Sequence, residues 1–153
     1  MLNIVLLEPE IPPNTGNIAR TCAATGTRLH LIEPLGFELS DRTLKRAGLD
    51  YWRQLDWSVY RDLQHFRAQN LQAQPWMLST KGRVNHAEVR FEDGDYLMFG
   101  RETKGLPEAL LDTNPRRVLR IPMRHGTRSL NLSNSAAIVL FEALRQLDFP
   151  GLE

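Results

Sequence analysis

Three polar segments gather the residue types that hold a ligand. Residues 12–20 (PPNTGNIAR) place Asn14 ahead of Arg20. Residues 99–107 (FGRETKGLP) place Glu102 between Gly100 and Gly105. Residues 121–134 (IPMRHGTRSLNLSN) carry Ser129, Asn131, Ser133 and Asn134. Glycine lets a backbone approach a ligand closely, and arginine offers a planar fork that fits phosphate oxygens. Each residue also has an ordinary structural use. Asn14 and Asn131 suit helix N-caps, Gly100 suits a turn, and Ser133 and Asn134 suit local backbone bonds. Their joint occurrence, in loops that follow or abut strands, favours a site, because open α/β sheets bind ligands beyond the carboxyl ends of their strands.

Several familiar chemistries are disfavoured. The first strand-to-helix connection reads EPEIPPN, without the glycine fingerprint of a dinucleotide site. Gly100 and Gly105 have phosphate-loop spacing, but Leu106 and Pro107 stand where Lys and Ser/Thr belong. His30, His65, His86 and His125 are too scattered to pair as metal ligands, so no metal is expected. No nucleophile elbow occurs. Cys22 is the sole cysteine, which excludes a disulfide framework, and its apolar surroundings fit a packed core thiol.

The elements that must position these loops alternate. Apolar runs at residues 2–7, 28–32, 57–60, 75–80, 95–99 and 118–122 read as strands. Helices are expected from Asn14-Thr15 to a left-handed stop at Gly26, from a Ser40-Asp41 cap to Gly48, over residues 62–69, and from Pro107 to Leu111. The strongest helical period runs from Leu132 through Ala136, Val139, Leu140, Ala143 and Leu144 to Leu147. Alternation of this kind predicts an α/β fold with a mainly parallel sheet flanked by helices. No repeat or linker interrupts residues 1–153, so one domain is expected.

Composition agrees with an ordinary globular chain: 153 residues, 42% hydrophobic and 24% charged. The short apolar start lacks a basic flank and meets Glu8-Pro9-Glu10, unlike a signal peptide or membrane anchor. A cytoplasmic protein that does not engage a membrane is expected. Net charge is only +1, yet 16 of the 19 Lys and Arg residues are Arg, a mild pointer to nucleic acid.

The motifs Asn14-x5-Arg20, Gly100-x-Glu102-x-x-Gly105 and the run from Ser129 to Asn134, in this order and spacing, resemble those of SPOUT-class (SpoU–TrmD) RNA methyltransferases. The resemblance is strongest to the minimal tRNA 2′-O-methyltransferases that act on the wobble nucleotide, cytidine or a 5-carboxymethylaminomethyluridine. It extends from Met1 to about Gly151. It implies an α/β-knot, in which the C-terminal segment threads a loop as a trefoil. It also implies S-adenosyl-methionine as donor and S-adenosyl-homocysteine as product, with no metal. Donor contacts carry over to Leu78, Gly100, Ile121 and Ser129, with Met123, Leu130 and Asn134 nearby.

The same resemblance gives Arg20 the central catalytic role, with Asn14, Glu102, Ser129 and Asn131 orienting groups around it. A guanidinium stays protonated in proteins, so stabilising a developing alkoxide is physically easier for Arg20 than accepting a proton. The implied partners are the tRNA anticodon loop and a second copy of the chain, joined through the last helix. The breadth of that helix's apolar stripe fits such an interface and fits core burial equally. RNA phosphate contacts are expected from Arg42, Lys45, Arg46, Lys81, Arg101, Arg124 and Arg128, with a splayed base stacked on Tyr51 or Trp52. Two departures bear on specificity: Arg101 where the family usually has proline, and Phe141 where tyrosine is usual. The alternatives are a related enzyme acting on another tRNA or rRNA nucleotide, and a non-catalytic RNA-binding module of the same fold.

Overall fold

A computed structural model describes residues 1–40 and 52–153. Among these described residues seven strands form one sheet: β1 (Asn3–Leu7), β2 (Arg28–Ile32), β3 (Trp57–Tyr60), β4 (Trp76–Leu78), β5 (Val84–Asn85), β6 (Tyr96–Phe99) and β7 (Val118–Arg120). Their order is β3-β2-β1-β6-β4-β7-β5, and every pairing is parallel. The short β5 goes beyond the expected set; two residues carry too little periodicity to be read as a strand.

Among the described residues the helices are α1 (Pro12–Thr25), α2 (Leu63–Gln69), α3 (Glu108–Leu111) and α4 (Leu132–Gln146). The stop at Gly26 is as expected, with φ of 66°. The start of α1 is earlier than expected. Pro12 and Pro13 open the helix, where their missing N–H groups cost nothing. Asn14 is therefore inside the first turn and is no cap. Asn131 does cap α4, accepting from the amides of Ser133 and Asn134. The helix expected between Ser40 and Gly48 lies outside the described residues, apart from Ser40 itself.

Both faces of the sheet are buried, as parallel strands require. Alternate residues of β1 serve different cores. Ile4 and Leu6 pack with Ile18, Val139 and Leu140 of α1 and α4. Val5 and Leu7 pack with Phe66 of α2 and Leu110 of α3. Cys22 is fully buried in the first core, and burial pushes its thiol pKa up, so it stays protonated. The chain leaves β1 toward β2 on one side and returns to β6 on the other. That switch point opens a crevice at the carboxyl ends of the strands.

Candidate active site

The crevice is a cavity of about 400 Å³. Segments just beyond four strand ends build it: Leu78 to Lys81 after β4, Phe99 to Leu106 after β6, Ile121 and Met123 after β7, and Ile11 and Asn14 at the start of α1. Ser129, Leu130, Asn131, Leu132 and Ser135 close it from the α4 side. Leu78, Phe99, Leu106, Ile121 and Met123 give it apolar walls, and Ser79, Thr80, Ser129 and Asn131 add polar groups.

The turn after β6 is pressed onto its own first residue. A Cβ on Gly100 would stand 2.1 Å from the carbonyl carbon of Gly105 and 2.2 Å from the nitrogen of Leu106. Only glycine fits there. The Gly105 amide closes the turn on the Arg101 carbonyl at 2.8 Å.

Asn14 joins the three polar segments. Its Nδ2 donates to Glu102 Oε1 at 3.4 Å, and its Oδ1 accepts from Asn131 Nδ2 at 3.0 Å. Glu102 also accepts from the Glu10 amide at 2.8 Å and the Ile11 amide at 3.0 Å. Ile11 has no capping side chain, so a carboxylate from the neighbouring loop satisfies the opening of α1. Asn131 uses its Oδ1 for the amides of Ser133 (2.9 Å) and Asn134 (3.2 Å), which leaves its Nδ2 for Asn14.

Further links run between the same loops. Arg101 Nε donates to Glu8 Oε2 at 2.8 Å, and the two groups form an ion pair. Glu10 accepts from the Thr103 hydroxyl at 2.7 Å and the Thr103 amide at 3.2 Å. Those two bonds, with help from the charges of Arg101 and Lys104, hold the Glu10 carboxyl below its ordinary pKa.

Of the expected donor contacts, Leu78, Gly100, Ile121, Met123, Ser129 and Leu130 line the cavity, and Asn134 does not. Asn134 is exposed and contributes its amide to the α4 cap. Asn14, Glu102, Ser129 and Asn131 line the cavity too. Arg20 is exposed on α1 and is not among the lining residues. Six residues along a helix advance about 9 Å and rotate to a different face, so Asn14 and Arg20 point apart.

Among the expected RNA contacts, Lys81 pairs with Glu108 and Arg101 with Glu8. Arg124 and Arg128 are exposed on the loop leading to Ser129. Arg42, Lys45, Arg46 and Tyr51 lie outside the described residues. Trp52 is half-buried and packs edge-on against Trp57, with ring centroids 4.8 Å apart.

Sequence reasoning missed Glu8, Glu10, Ile11, Ser79, Thr80 and Thr103 at or around the cavity. The two acids beside Pro9 were a faint signal, since carboxylates at the end of a buried strand need partners. Among the described residues, no group of three His, Cys, Asp or Glu side chains is placed to hold a metal ion. No helix among them is long and apolar enough to cross a membrane.

A parallel sheet with a backbone-rich cavity at its switch point, closed by the three polar motifs, is the arrangement of an RNA methylase: the chain belongs to the SpoU rRNA Methylase family, which it matches over residues 1–141. Its relatives are more particular. It is 55% identical, over 99% of both chains, to the tRNA (cytidine(34)-2′-O)-methyltransferase of Saccharophagus degradans. It is 53% identical to the enzyme of the same name from Escherichia coli, over 99% of this chain and 97% of that one.

Solved structures agree. One described as giving structural insights into the 2-OH methylation of C/U34 on tRNA superposes with a TM-score of 0.92, at 48% identity over 97% of each chain. The SpoU methyltransferase AviRb from Streptomyces viridochromogenes, in complex with the cofactor AdoMet, superposes with a TM-score of 0.82 at 25% identity. That match covers 97% of this chain and 61% of the other.

Proposed function

We propose that this protein transfers a methyl group from S-adenosyl-methionine to the ribose 2′-hydroxyl of the wobble nucleotide, position 34, of tRNA. The observation that carries the reading is Asn14 bonded to both Glu102 and Asn131 at a cavity edge, in a chain more than half identical to enzymes named for that reaction.

The cavity fits the donor in size and kind. Its apolar walls suit an adenine ring, and the backbone around Gly100 and Ile121 offers polar groups without a nucleotide fingerprint. When bound, the donor supplies an electrophilic methyl on a sulfonium, so the chain needs neither a metal nor a covalent intermediate. Leu78, Gly100, Ile121, Met123, Ser129 and Leu130 hold the donor, and S-adenosyl-homocysteine leaves from the same contacts. Asn14, Glu102 and Asn131 fix the geometry of the acceptor side. Arg20 stabilises the negative charge that develops on the ribose oxygen as its proton departs to solvent.

Because Arg20 faces away from Asn14 on α1, the reading includes a homodimer in which the two copies complete the site. Ile138 and Phe141 on α4 are 40% and 46% exposed, apolar surface suited to that contact. The threaded trefoil belongs to the same reading, and its tight crossings would need close backbone approaches such as Gly82 on Leu119. One domain over residues 1–153 would carry the whole activity, in the cytoplasm, where tRNA is modified. The anticodon loop would meet Arg124, Arg128 and the basic segment around Arg42, Lys45 and Arg46.

The test is methylation in vitro. Purified protein, S-adenosyl-methionine and unmodified tRNA are incubated, and the tRNA is digested and mapped by mass spectrometry. A new ribose methyl at position 34 is expected. A methyl only at another nucleotide would transfer the reading to a different target, and none at all, with donor bound, would favour a binding module.

A further inference from the structure

We infer that the Glu8–Arg101 ion pair is a positioning device that sets how tightly the donor is held. The inference rests on the reading that the cavity takes S-adenosyl-methionine. Arg101 immediately follows Gly100, and its carbonyl closes the turn that forms one cavity wall. Its guanidinium reaches back over the end of β1 to Glu8.

Glu8 is held for this contact by its backbone. Its φ is 54°, left-handed and unfavourable for a residue with a Cβ. Its amide donates to the Ile32 carbonyl at 2.9 Å, which fixes the peptide plane. Strain of this kind persists only where surrounding structure enforces it, and it clusters at ligand-binding sites. Glu8 itself is not among the residues lining the cavity. It acts through Arg101.

The pair also has a place in a larger clasp. Glu8 holds Arg101, Glu10 holds Thr103, and Glu102 holds the Glu10 and Ile11 amides. Three consecutive residues of the turn are thus tied to residues 8–11. Glu102 and Thr103 tether the far side of the turn. Arg101 tethers the side next to Gly100, where the backbone meets the cavity. With the pair broken, the turn samples positions that bind the donor less well, and the donor must reorder it on binding. Arg101, taken from its sequence position to be an RNA contact, is thereby assigned to the donor side.

The experiment uses full-length protein without RNA. S-adenosyl-methionine is titrated by calorimetry into wild type, Glu8→Gln, Arg101→Met, Arg101→Lys and the double variant Glu8→Gln/Arg101→Met. Each charge-removing single variant is expected to weaken donor binding about fivefold, the scale of a partly exposed pair. The double variant should lose little more, because the two changes break one interaction. Arg101→Lys should recover part of the loss. Amide exchange at Gly105 in the donor-free protein should quicken in the weakened variants while exchange in β1 and β6 stays slow. In steady state, Glu8→Gln should raise donor KM more than it lowers kcat.

Unchanged donor affinity in both single variants overturns the inference. So does a loss that is additive in the double variant, or one accompanied by faster exchange throughout the sheet. Failure of the wild type to bind S-adenosyl-methionine would instead overturn the underlying functional reading.

Discussion

Asn131 Nδ2 donates to Asn14 Oδ1 at 3.0 Å across 117 residues of chain. That bond ties the cap of α4 to the first turn of α1. The same Asn14 donates to Glu102, so the start of α1, the turn after β6 and the loop before α4 share one side chain. Two of the three side chains also satisfy a backbone terminus: Glu102 serves the opening of α1 and Asn131 that of α4. Capping and site assembly share side chains here, but at Asn131 they use different atoms, Oδ1 for the cap and Nδ2 for Asn14, so their mutational effects are separable.

Asn131→Asp keeps an oxygen for the Ser133 and Asn134 amides and removes the donor to Asn14. It should fold with a melting temperature near that of wild type and lose most methyl transfer. Asn131→Ala should lose the cap as well, at about 1 kcal/mol. Thermal unfolding and a methyl-incorporation assay on both variants separate the roles. Full activity of Asn131→Asp would remove the Asn14 bond from the mechanism.

Arg20→Ala should abolish methyl transfer, by at least about a hundredfold, the usual scale for losing a group that stabilises developing charge. Donor affinity should be unchanged, since Arg20 does not line its own cavity. Calorimetry alongside the transfer assay decides the matter, and a variant that retains activity would sink the alkoxide role.

Gly100→Ala introduces a Cβ 2.1 Å from backbone that has no flexible end to move. The turn must shift, so donor affinity should fall at least about tenfold, with a lower melting temperature; the clash belongs to the backbone path itself. Normal donor binding by this variant would contradict the described path.

His30 is buried in the second core, with Nδ1 2.9 Å from the Tyr60 hydroxyl and Nε2 3.0 Å from Asn3 Oδ1. Burial, and secondarily the charge of Arg28, lowers its pKa from 6.5 to about 4. The folded protein therefore keeps His30 neutral where the unfolded chain takes up a proton. Its contribution is complete above pH 6.5, falls as pH drops, and is gone near pH 4, a loss of roughly 3 kcal/mol at most. Melting temperatures across this window should fall less steeply for His30→Gln. Parallel curves for the two proteins would rule out His30 as the cause.

Affinity for tRNA should drop steeply as salt rises, because phosphate contacts release counterions. Arg124→Ala should weaken binding and reduce the slope of log affinity against log salt by about one. A salt-independent affinity would dismiss the proposed basic surface.

Local pattern accounts for much of this protein. The apolar run of β1, the left-handed stop at Gly26 and the repeat from Leu132 to Leu147 are written within a few residues, because backbone hydrogen bonding and side-chain period act over one or two turns. The three polar motifs were also legible, as residue types standing at strand ends. β5 was not, being only two residues long and defined by its partner β7. Nor was Asn14's place inside α1, since the prolines ahead of it could be read as loop or as first turn.

The partners of the polar residues were decided by the tertiary structure. Glu102 meets the Ile11 amide 91 positions away, and Arg101 meets Glu8 at a separation of 93. Both contacts exist because β6 lies beside β1 in the sheet, an adjacency chosen by the burial of two faces at once. A strand's pattern states that it will be buried and leaves open which strand will lie against it, so residue chemistry was readable along the chain while residue assignment, with Arg101 turned toward Glu8, required the fold.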